Sequence, residues 1–298
     1  MKPDVGKLLA FVLLAAGSVV MLLPLGWMVA LSLASPEEAL RAAAGGGSFH
    51  WWPDDPRWEN YPDALRRLGA GDPEHPWHGF LDALANTVVV TTTVVAAQVL
   101  SSSLAGYAFA RLRFRGRDAL FLLLLSTMML PAQVTMIPLF LLFRNLGWID
   151  TLLPLVAPSF FGTAYFIFLF RQFMAQVPQE LLDAARVDGV GFVGIWWRIL
   201  LPMCRPVIAI TAIFTFIGTW NDFLHPLIYL HSQEKMTLAV ALAGFRNQYD
   251  NVGEVHLLMA ASAVTMIPCV LLFLVAQRQL VRGAGQASAE AAAPERRR

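Results

Sequence analysis

Six stretches of the chain run for roughly twenty residues or more with scarcely a charge, and polar segments separate them. They are approximately Leu8 to Ala34, Leu84 to Ala110, Ala119 to Phe143, Leu152 to Phe170, Pro206 to Leu230 and Val255 to Ala276. About 20 mostly apolar residues are what a helix needs to cross the hydrocarbon core of a bilayer. The alternating pattern of a membrane β-barrel is absent, and backbone groups in lipid must pair internally. The pattern predicts an all-α, polytopic membrane protein with six transmembrane helices, residues 1–282 forming a single membrane domain. The first stretch follows Lys2 and Lys7 and ends at "SLAS", but it exceeds the usual ~7–15 apolar residues of a cleaved leader. Pro131 and Pro138 in the third stretch, and Pro154 and Pro158 in the fourth, predict bent helices.

Between the first two stretches, residues 35–82 form an outer loop in which acidic residues outnumber basic ones. Glycines 45 to 47 predict a mobile start. Trp51, Trp52, Trp58 and Trp77 are of a type that can bind a sugar face, but loop packing or interfacial anchoring explains them better. The tail 283–298, "GAGQASAEAAAPERRR", holds few bulky apolar residues and is expected to be disordered.

Composition agrees: 57% of residues are hydrophobic and 14% charged, where soluble domains carry about 25% charge. With a cytoplasmic N-terminus, the inner segments hold 15 of the 22 lysines and arginines and the outer loops 7. That bias predicts cytoplasmic termini on both ends. "RLRFRGRD", with Arg111, Arg113, Arg115 and Arg117, is the strongest marker of an inner segment; a nucleic-acid surface would need aromatic interleaving and a wider basic face. Cys204 and Cys269 lie too far apart in the pattern to suggest a disulfide framework.

The segment 171–205, between the fourth and fifth stretches, is far longer than a helix connection requires. Gly189, Gly191 and Gly194 in it spell G-x-G-x-x-G, the spacing of a dinucleotide-binding loop. That motif needs a strand before it and an acidic residue about 20 positions later, whereas "PQELLDAARVD" reads as a helix and no Asp or Glu lies between Gly194 and Asp222. Pro178 suits the first position of a helix of about 11 residues, Glu180 and Asp183 its positive end, and Gly189 the position past its C-terminus. Leu181, Ala184, Ala185 and Asp188 share one face by i, i+3, i+4 and i+7 spacing. The two alanines make that face shallow enough for another protein to press against. A helix lying on the bilayer would need more lysine or arginine and bulkier apolar residues.

"PQELLDAARVDG", nine further residues and "ILLP" resemble the signature loop of ATP-binding-cassette importer permeases, written E-A-A, three residues, Gly, nine residues, Ile-x-Leu-Pro. Asp183, Ala184 and Ala185 take the E-A-A positions, with Asp where Glu is typical. Gly189 takes the glycine, and Ile199, Leu201 and Pro202 the close. "NTVVVTTTVVAAQVLSSSLAGYAFARLRFRGRD", "MMLPAQVTMIPLFLL", "GTWNDFLHPLIYL" and "LMAASAVTMIPCVLLFLVAQRQLVRG" extend the resemblance to the shorter, six-span permease of maltose-type carbohydrate importers. The resemblance implies import of a sugar, polyol or glycerol-phosphate type solute across the inner membrane of a prokaryote by alternating access. It implies a coupling helix between spans four and five, with Glu180, Asp183, Ala184, Ala185, Asp188, Gly189, Ile199, Leu201 and Pro202 docking an ATPase dimer. A second, different permease, an external solute-binding protein and membrane lipid complete the expected partners. ATP and Mg would bind the partner ATPase, and this chain would bind no cofactor.

The residues themselves agree on two counts. No G-x-x-x-x-G-K-[ST] is present to cradle phosphates. Asp222 falls in the fifth stretch, where an ionisable group costs ~2.5–3.5 kcal/mol unless it faces a cavity, a neighbour or the interface. Thr215, Gly218, Thr219, Trp220, Asn221 and Asp222 are therefore the expected pathway or gating residues, gating being favoured over direct solute contact. An ion-gradient carrier is the alternative, but it calls for repeats and paired buried ionisable groups, and Asp222 alone qualifies. The histidines at 50, 75, 78, 225, 231 and 256 form no H-E-x-x-H, so neither a catalytic constellation nor a metal site is expected.

Overall fold

The computed structural model describes residues 5–43, 51–68, 77–248 and 254–292. Glycines 45 to 47, His75 and the last six residues lie outside the described residues. Every regular element among the described residues is helical: α1 (Val5–Ser32), α2 (Pro36–Ala43), α3 (Asn60–Arg67), α4 (His78–Arg111), α5 (Arg117–Ser126), α6 (Ala132–Asn145), α7 (Leu153–Val156), α8 (Ala164–Ala175), α9 (Gln179–Val187), α10 (Phe192–Ile195), α11 (Leu201–Met203), α12 (Arg205–Trp220), α13 (Leu224–Tyr229), α14 (Leu238–Gln248) and α15 (Val255–Ala292), with short 3-10 or π turns between some of them.

Four segments are long and apolar enough to cross a membrane: Gly6–Ser32, His78–Arg111, Leu153–Ala175 and Val255–Gln277. The count reaches six if each of two bent pairs is one span, Arg117–Met129 with Ala132–Asn145 and Phe192–Met203 with Arg205–Trp220. The first pair turns through 101° where Leu130 is extended ahead of Pro131, so the third stretch is broken rather than merely bent. The second pair turns through 80° at Cys204. The fifth stretch is not one helix either. α12 stops at Trp220, where the Asn221 amide folds back onto the Ile217 carbonyl at 2.8 Å, and α13 starts only at Leu224. At the other end of the chain α15 runs on to Ala292, ten residues into the tail expected to be disordered. Alanine-rich sequence has the highest intrinsic helix propensity and needs no packed face to extend a helix already begun.

The described residues divide into two compact units, Met1–Ala83 with Val240–Ile267 and Leu84–Ala239 with Pro268–Arg298. In the first, Ser35 and Glu38 form a reciprocal capping box: the Glu38 amide donates to Ser35 Oγ at 3.3 Å and the Ser35 amide to Glu38 Oε2 at 2.9 Å. That amide holds the Glu38 carboxyl below its usual range. Asn60 Nδ2 donates to the carbonyls of Ser32 (2.9 Å) and Ala34 (3.0 Å), just past the end of α1. Part of the aromatic set packs: Trp51 meets Trp27 edge-on, Trp58 stacks on Tyr61, and Arg66 lies 5.1 Å over the Trp77 ring. The most apolar stretch of the α1 span has no buried residue within the chain, as expected of a surface covered by lipid or a neighbouring subunit, and burial begins only at its end, with Ala30, Leu31 and Ser32.

In the second unit one core cluster joins Tyr107 of α4, Phe170 and Met174 of α8, Leu182 and Ala185 of α9, Trp196 and Leu200 of the π turn before α11, and Val207 of α12. α4 and α8 meet at Gly106. A Cβ there would lie 2.5 Å from the Phe170 Cβ and 3.0 Å from the Arg171 amide, so only glycine permits the crossing.

Candidate functional site

The polar connection 171–205 carries α9, a nine-residue helix starting one position later than predicted, because Pro178 is its cap in extended conformation (ψ 136°). Glu180 sits in its first turn and Arg186 in its last, complementing the helix dipole. Gly189 has φ +78°. Its amide donates to the Arg186 carbonyl at 3.0 Å, and the Val190 amide to the Ala185 carbonyl at 2.9 Å, the paired bonds of a left-handed glycine C-cap.

α9 has two distinct faces. Leu182 is fully buried and Ala185 is 7% exposed, both inside the cluster that joins α4, α8 and α12. Burying one leucine side chain contributes about 1.5–3 kcal/mol. Leu181, Ala184, Val187 and Asp188 face outward, Val187 at 88% exposure. Ala185, read from spacing as part of the outer face, therefore belongs to the inner one. Asp183 is held within the helix by Gln179 Nε2 at 3.0 Å and by Arg186 Nη1 at 2.6 Å, both half-exposed contacts. Glu180 is exposed.

Arg111, at the end of α4, ties this connection to the spans. Its Nε and Nη2 donate to the Met174 carbonyl at 2.9 and 2.6 Å, its Nη2 also to the Val177 carbonyl, and its Nη1 to Gln179 Oε1 at 3.1 Å. The Met174 carbonyl lies in the last turn of α8 and the Val177 carbonyl just beyond it, where a cation is favoured. Of the four clustered arginines, Arg117 pairs with Asp118, while Arg111 reaches the connection. Composition supplied the charge; nothing in the local pattern marked Arg111 as the clasp.

The close of the motif begins inside a five-residue π turn, Trp196–Leu200, which holds Ile199, and runs on into α11 with Leu201 and Pro202. Pro202 has no N–H to offer the Arg198 carbonyl, which favours the wider turn there. Leu200 is fully buried, Ile199 and Leu201 are half-buried and Pro202 is exposed.

About 30 Å along α4 from Arg111, by helical rise, the same unit contains a cavity of about 60 Å³. Thr87, Val90 and Thr91 of α4, Leu155 of α7, Thr219 of α12, Asp222, Pro226 of α13 and Thr237 line it. Of the expected pathway residues, Thr219 and Asp222 reach this cavity. Asn221 is exposed and bonds to Ile217 and Cys269, Trp220 is buried against Phe216, Gly218 is exposed, and Thr215 lies further along α12. Asp222 takes His225 as its partner, with Oδ2 2.9 Å from Nδ1. The segment carrying Thr237 is positioned from two sides. Asn86 Nδ2 donates to the Glu234 and Met236 carbonyls, and the Leu238 amide donates to Thr87 Oγ1 at 2.8 Å. Asp150, with φ 60°, accepts the His231 and Ser232 amides at 2.9 Å each, the Ser232 hydroxyl, and Lys235 Nζ at 3.1 Å. Asp150 and the threonines of α4 and residue 237 carry no sequence signal of such a role; they meet only through the fold. Among the described residues no three His, Cys, Asp or Glu side chains gather to hold a metal.

The family model described as "binding-protein-dependent transport system inner membrane component" matches residues 99–286. The chain is 37% identical over 198 residues to the arabinooligosaccharides transport system permease protein AraQ of Halalkalibacterium halodurans, covering 66% of this chain and 70% of that one. It is 31% identical over 247 residues to the melibiose/raffinose/stachyose import permease protein MelC of Bacillus subtilis, covering 81% and 84%. In fold it is similar to a chain from the crystal structure of a bacterial ABC transporter involved in the import of the acidic polysaccharide alginate. The TM-score is 0.76 at 24% identity, over 93% of this chain and 98% of that one.

Proposed function

Because the chain belongs to the inner membrane components of binding-protein-dependent transport systems, an ABC importer permease family with carbohydrate-importing members, we propose that it carries a sugar or oligosaccharide into the cytoplasm by alternating access, driven by ATP hydrolysis on a partner. The observation that carries this reading is the double face of α9. Its inner face, Leu182 and Ala185, is part of the packed core of α4, α8 and α12, while Leu181, Ala184, Val187 and Asp188 are left outward. A packed interior transmits displacement instead of absorbing it. A protein pressing on that outer face would therefore move the spans, and Arg111 would carry the push into the end of α8 and α4.

In this reading α9 docks an ATPase dimer that binds ATP and Mg, a second permease completes the pathway, and an external binding protein delivers solute. α9 and both termini lie on the cytoplasmic side, in keeping with the basic residues there. The chain performs no covalent chemistry of its own.

The test is purification of the tagged chain from its host in mild detergent, identification of co-purifying proteins by mass spectrometry, and uptake of labelled sugars by vesicles holding the recovered complex. Recovery of an ATPase and a second permease, with uptake that stops when ATP is withheld, is the expected result. A chain recovered alone that moves solute down an ion gradient without ATP would replace this reading with a secondary carrier.

A further inference from the structure

We infer that the turn between α4 and α5, together with Arg171 of α8, binds the phosphate of an anionic phospholipid in the inner leaflet, an inference that rests on the cytoplasmic placement proposed above and not on which solute is carried. Residues 112–116 join the two helices. Five residues reach roughly 18 Å at most even when fully extended, so a turn between two apolar helices stays at the level of the lipid headgroups. It presents Arg113 and Arg115, both exposed, on either side of Phe114, which is 41% exposed. The Phe114 ring lies 5.9 Å from that of Phe109, Phe109 lies 5.4 Å from Phe121 of α5, and the Arg171 guanidinium stands 4.0 Å over the Phe121 ring. Arginines from two separate parts of the chain thus meet at one aromatic cluster.

The donors of these arginines are unused. Arg171 is half-buried, and among the described residues its guanidinium has no hydrogen-bond or ion-pair partner; the same holds for Arg113 and Arg115. Their neighbours differ, since Arg111 bonds the Met174 and Val177 carbonyls and Arg117 pairs with Asp118, the only acidic residue in 111–149. Phe121 covers one face of the Arg171 guanidinium and leaves its planar fork of N–H groups free, a fork that matches two oxygens of a phosphate. Membrane orientation asks only for positive charge on the inner side and is indifferent to where each guanidinium stands. It does not account for one held over a ring with its donors open. The surface beside the turn selects a lipid over a soluble anion: Leu120, Leu122 and Leu123 of α5 are at least half exposed and offer an apolar wall for acyl chains. Basic pockets between membrane helices on this side are where anionic headgroups settle.

The experiment is native mass spectrometry of the full-length chain in mild detergent, titrated with dioleoylphosphatidylglycerol or dioleoylphosphatidylcholine. The wild type should retain phosphatidylglycerol in clear preference and keep it in excess inorganic phosphate. Arg171→Gln and Arg115→Gln should each lower that preference about fivefold. Two charge-preserving variants separate a built site from diffuse attraction. Arg171→Lys loses the fork and Phe121→Leu loses the ring beneath it, and each should lower the preference about threefold. Arg171→Lys alters no core side chain, so it carries the test if Phe121→Leu lowers the melting temperature. Equal retention of the two lipids by the wild type would overturn the inference, as would wild-type preference in Arg171→Lys, which would leave net charge as the whole cause. Displacement of the lipid by inorganic phosphate would overturn the choice of a lipid. Loss of ATPase recovery in Arg171→Gln with the lipid preference unchanged would give the surface to a protein partner instead. ATPase recovery by the wild type is read separately, so failure of the importer reading and failure of the lipid site are distinguishable.

Discussion

Gly189 separates two reasons for a glycine that are usually confounded. Its φ of +78° lies in the left-handed region, where a residue with a Cβ pays roughly 1–2 kcal/mol. A Cβ built there meets nothing within 4 Å of this chain, so no internal clash adds to that cost. Asparagine visits the same region readily and is an accepted residue at this kind of helix end. Gly189→Asn should therefore leave the isolated chain folded, with a melting temperature within a few degrees of wild type, whereas Gly189→Val should cost the full backbone penalty or more. If an ATPase presses closely on this turn, as the docking reading requires, the added asparagine side chain should still loosen the complex. The assay is parallel: thermal unfolding of the purified chain, and recovery of the ATPase on the tagged chain together with ATP-driven uptake. Expected for Gly189→Asn are an unchanged melting curve and recovery and uptake reduced at least severalfold. Full recovery and uptake with Gly189→Asn would refute the close approach, leaving backbone conformation as the only reason for glycine at this position.

Arg111→Ala removes a charged donor from two carbonyls and from Gln179 and should destabilise the 174–189 region by about 2–4 kcal/mol, read as faster amide exchange there while the far end of α4 keeps its protection. Arg111→Lys should recover only part of this, because an ammonium cannot reproduce the planar fork. Gly106→Ala forces α4 and α8 apart against the Phe170 Cβ and the Arg171 amide, an overpacking cost of about 1–3 kcal/mol or more that a thermal melt should register. Asp150 is held well below the usual carboxylate range by the Ser232 hydroxyl, the Ser232 and His231 amides and Lys235. A folded-state value depressed in this way contributes stability that is present above the unfolded value near 4 and is lost as pH falls below it. Melting temperature should thus drop between pH 5 and pH 3 in the wild type more steeply than in Asp150→Asn, and equal slopes would count against the clamp.

The helices that cross lipid are the most legible part of this chain, since an uninterrupted apolar run has no other stable place. The connection 171–205 was equally plain, because Pro178, Glu180 and Gly189 act through local backbone rules: a fixed φ, a charge at a helix end and access to positive φ. Those rules put Pro178 one position off and did not locate the break after Trp220, which depends on Asn221 turning back on Ile217. Spacing also grouped Ala185 with Ala184. On a helix this short both faces are mildly apolar, and only the presence of Tyr107, Phe170 and Trp196 on one side decided which alanine turned inward.

The sequence by itself determined an all-helical membrane chain, the outlying helix between its fourth and fifth apolar stretches and the glycine that ends that helix, because each of these is set by residues within one or two turns of one another. Tertiary structure alone decided that Arg111 clasps the end of α8, that Asp150 grips residues 231–235, and that Thr91, Thr219, Asp222 and Thr237 share one cavity. Each of those joins residues some 60 to 150 positions apart. A threonine carries the same local preferences whether it lines a cavity or faces lipid, so no periodicity records the difference; it arises only when the helices pack.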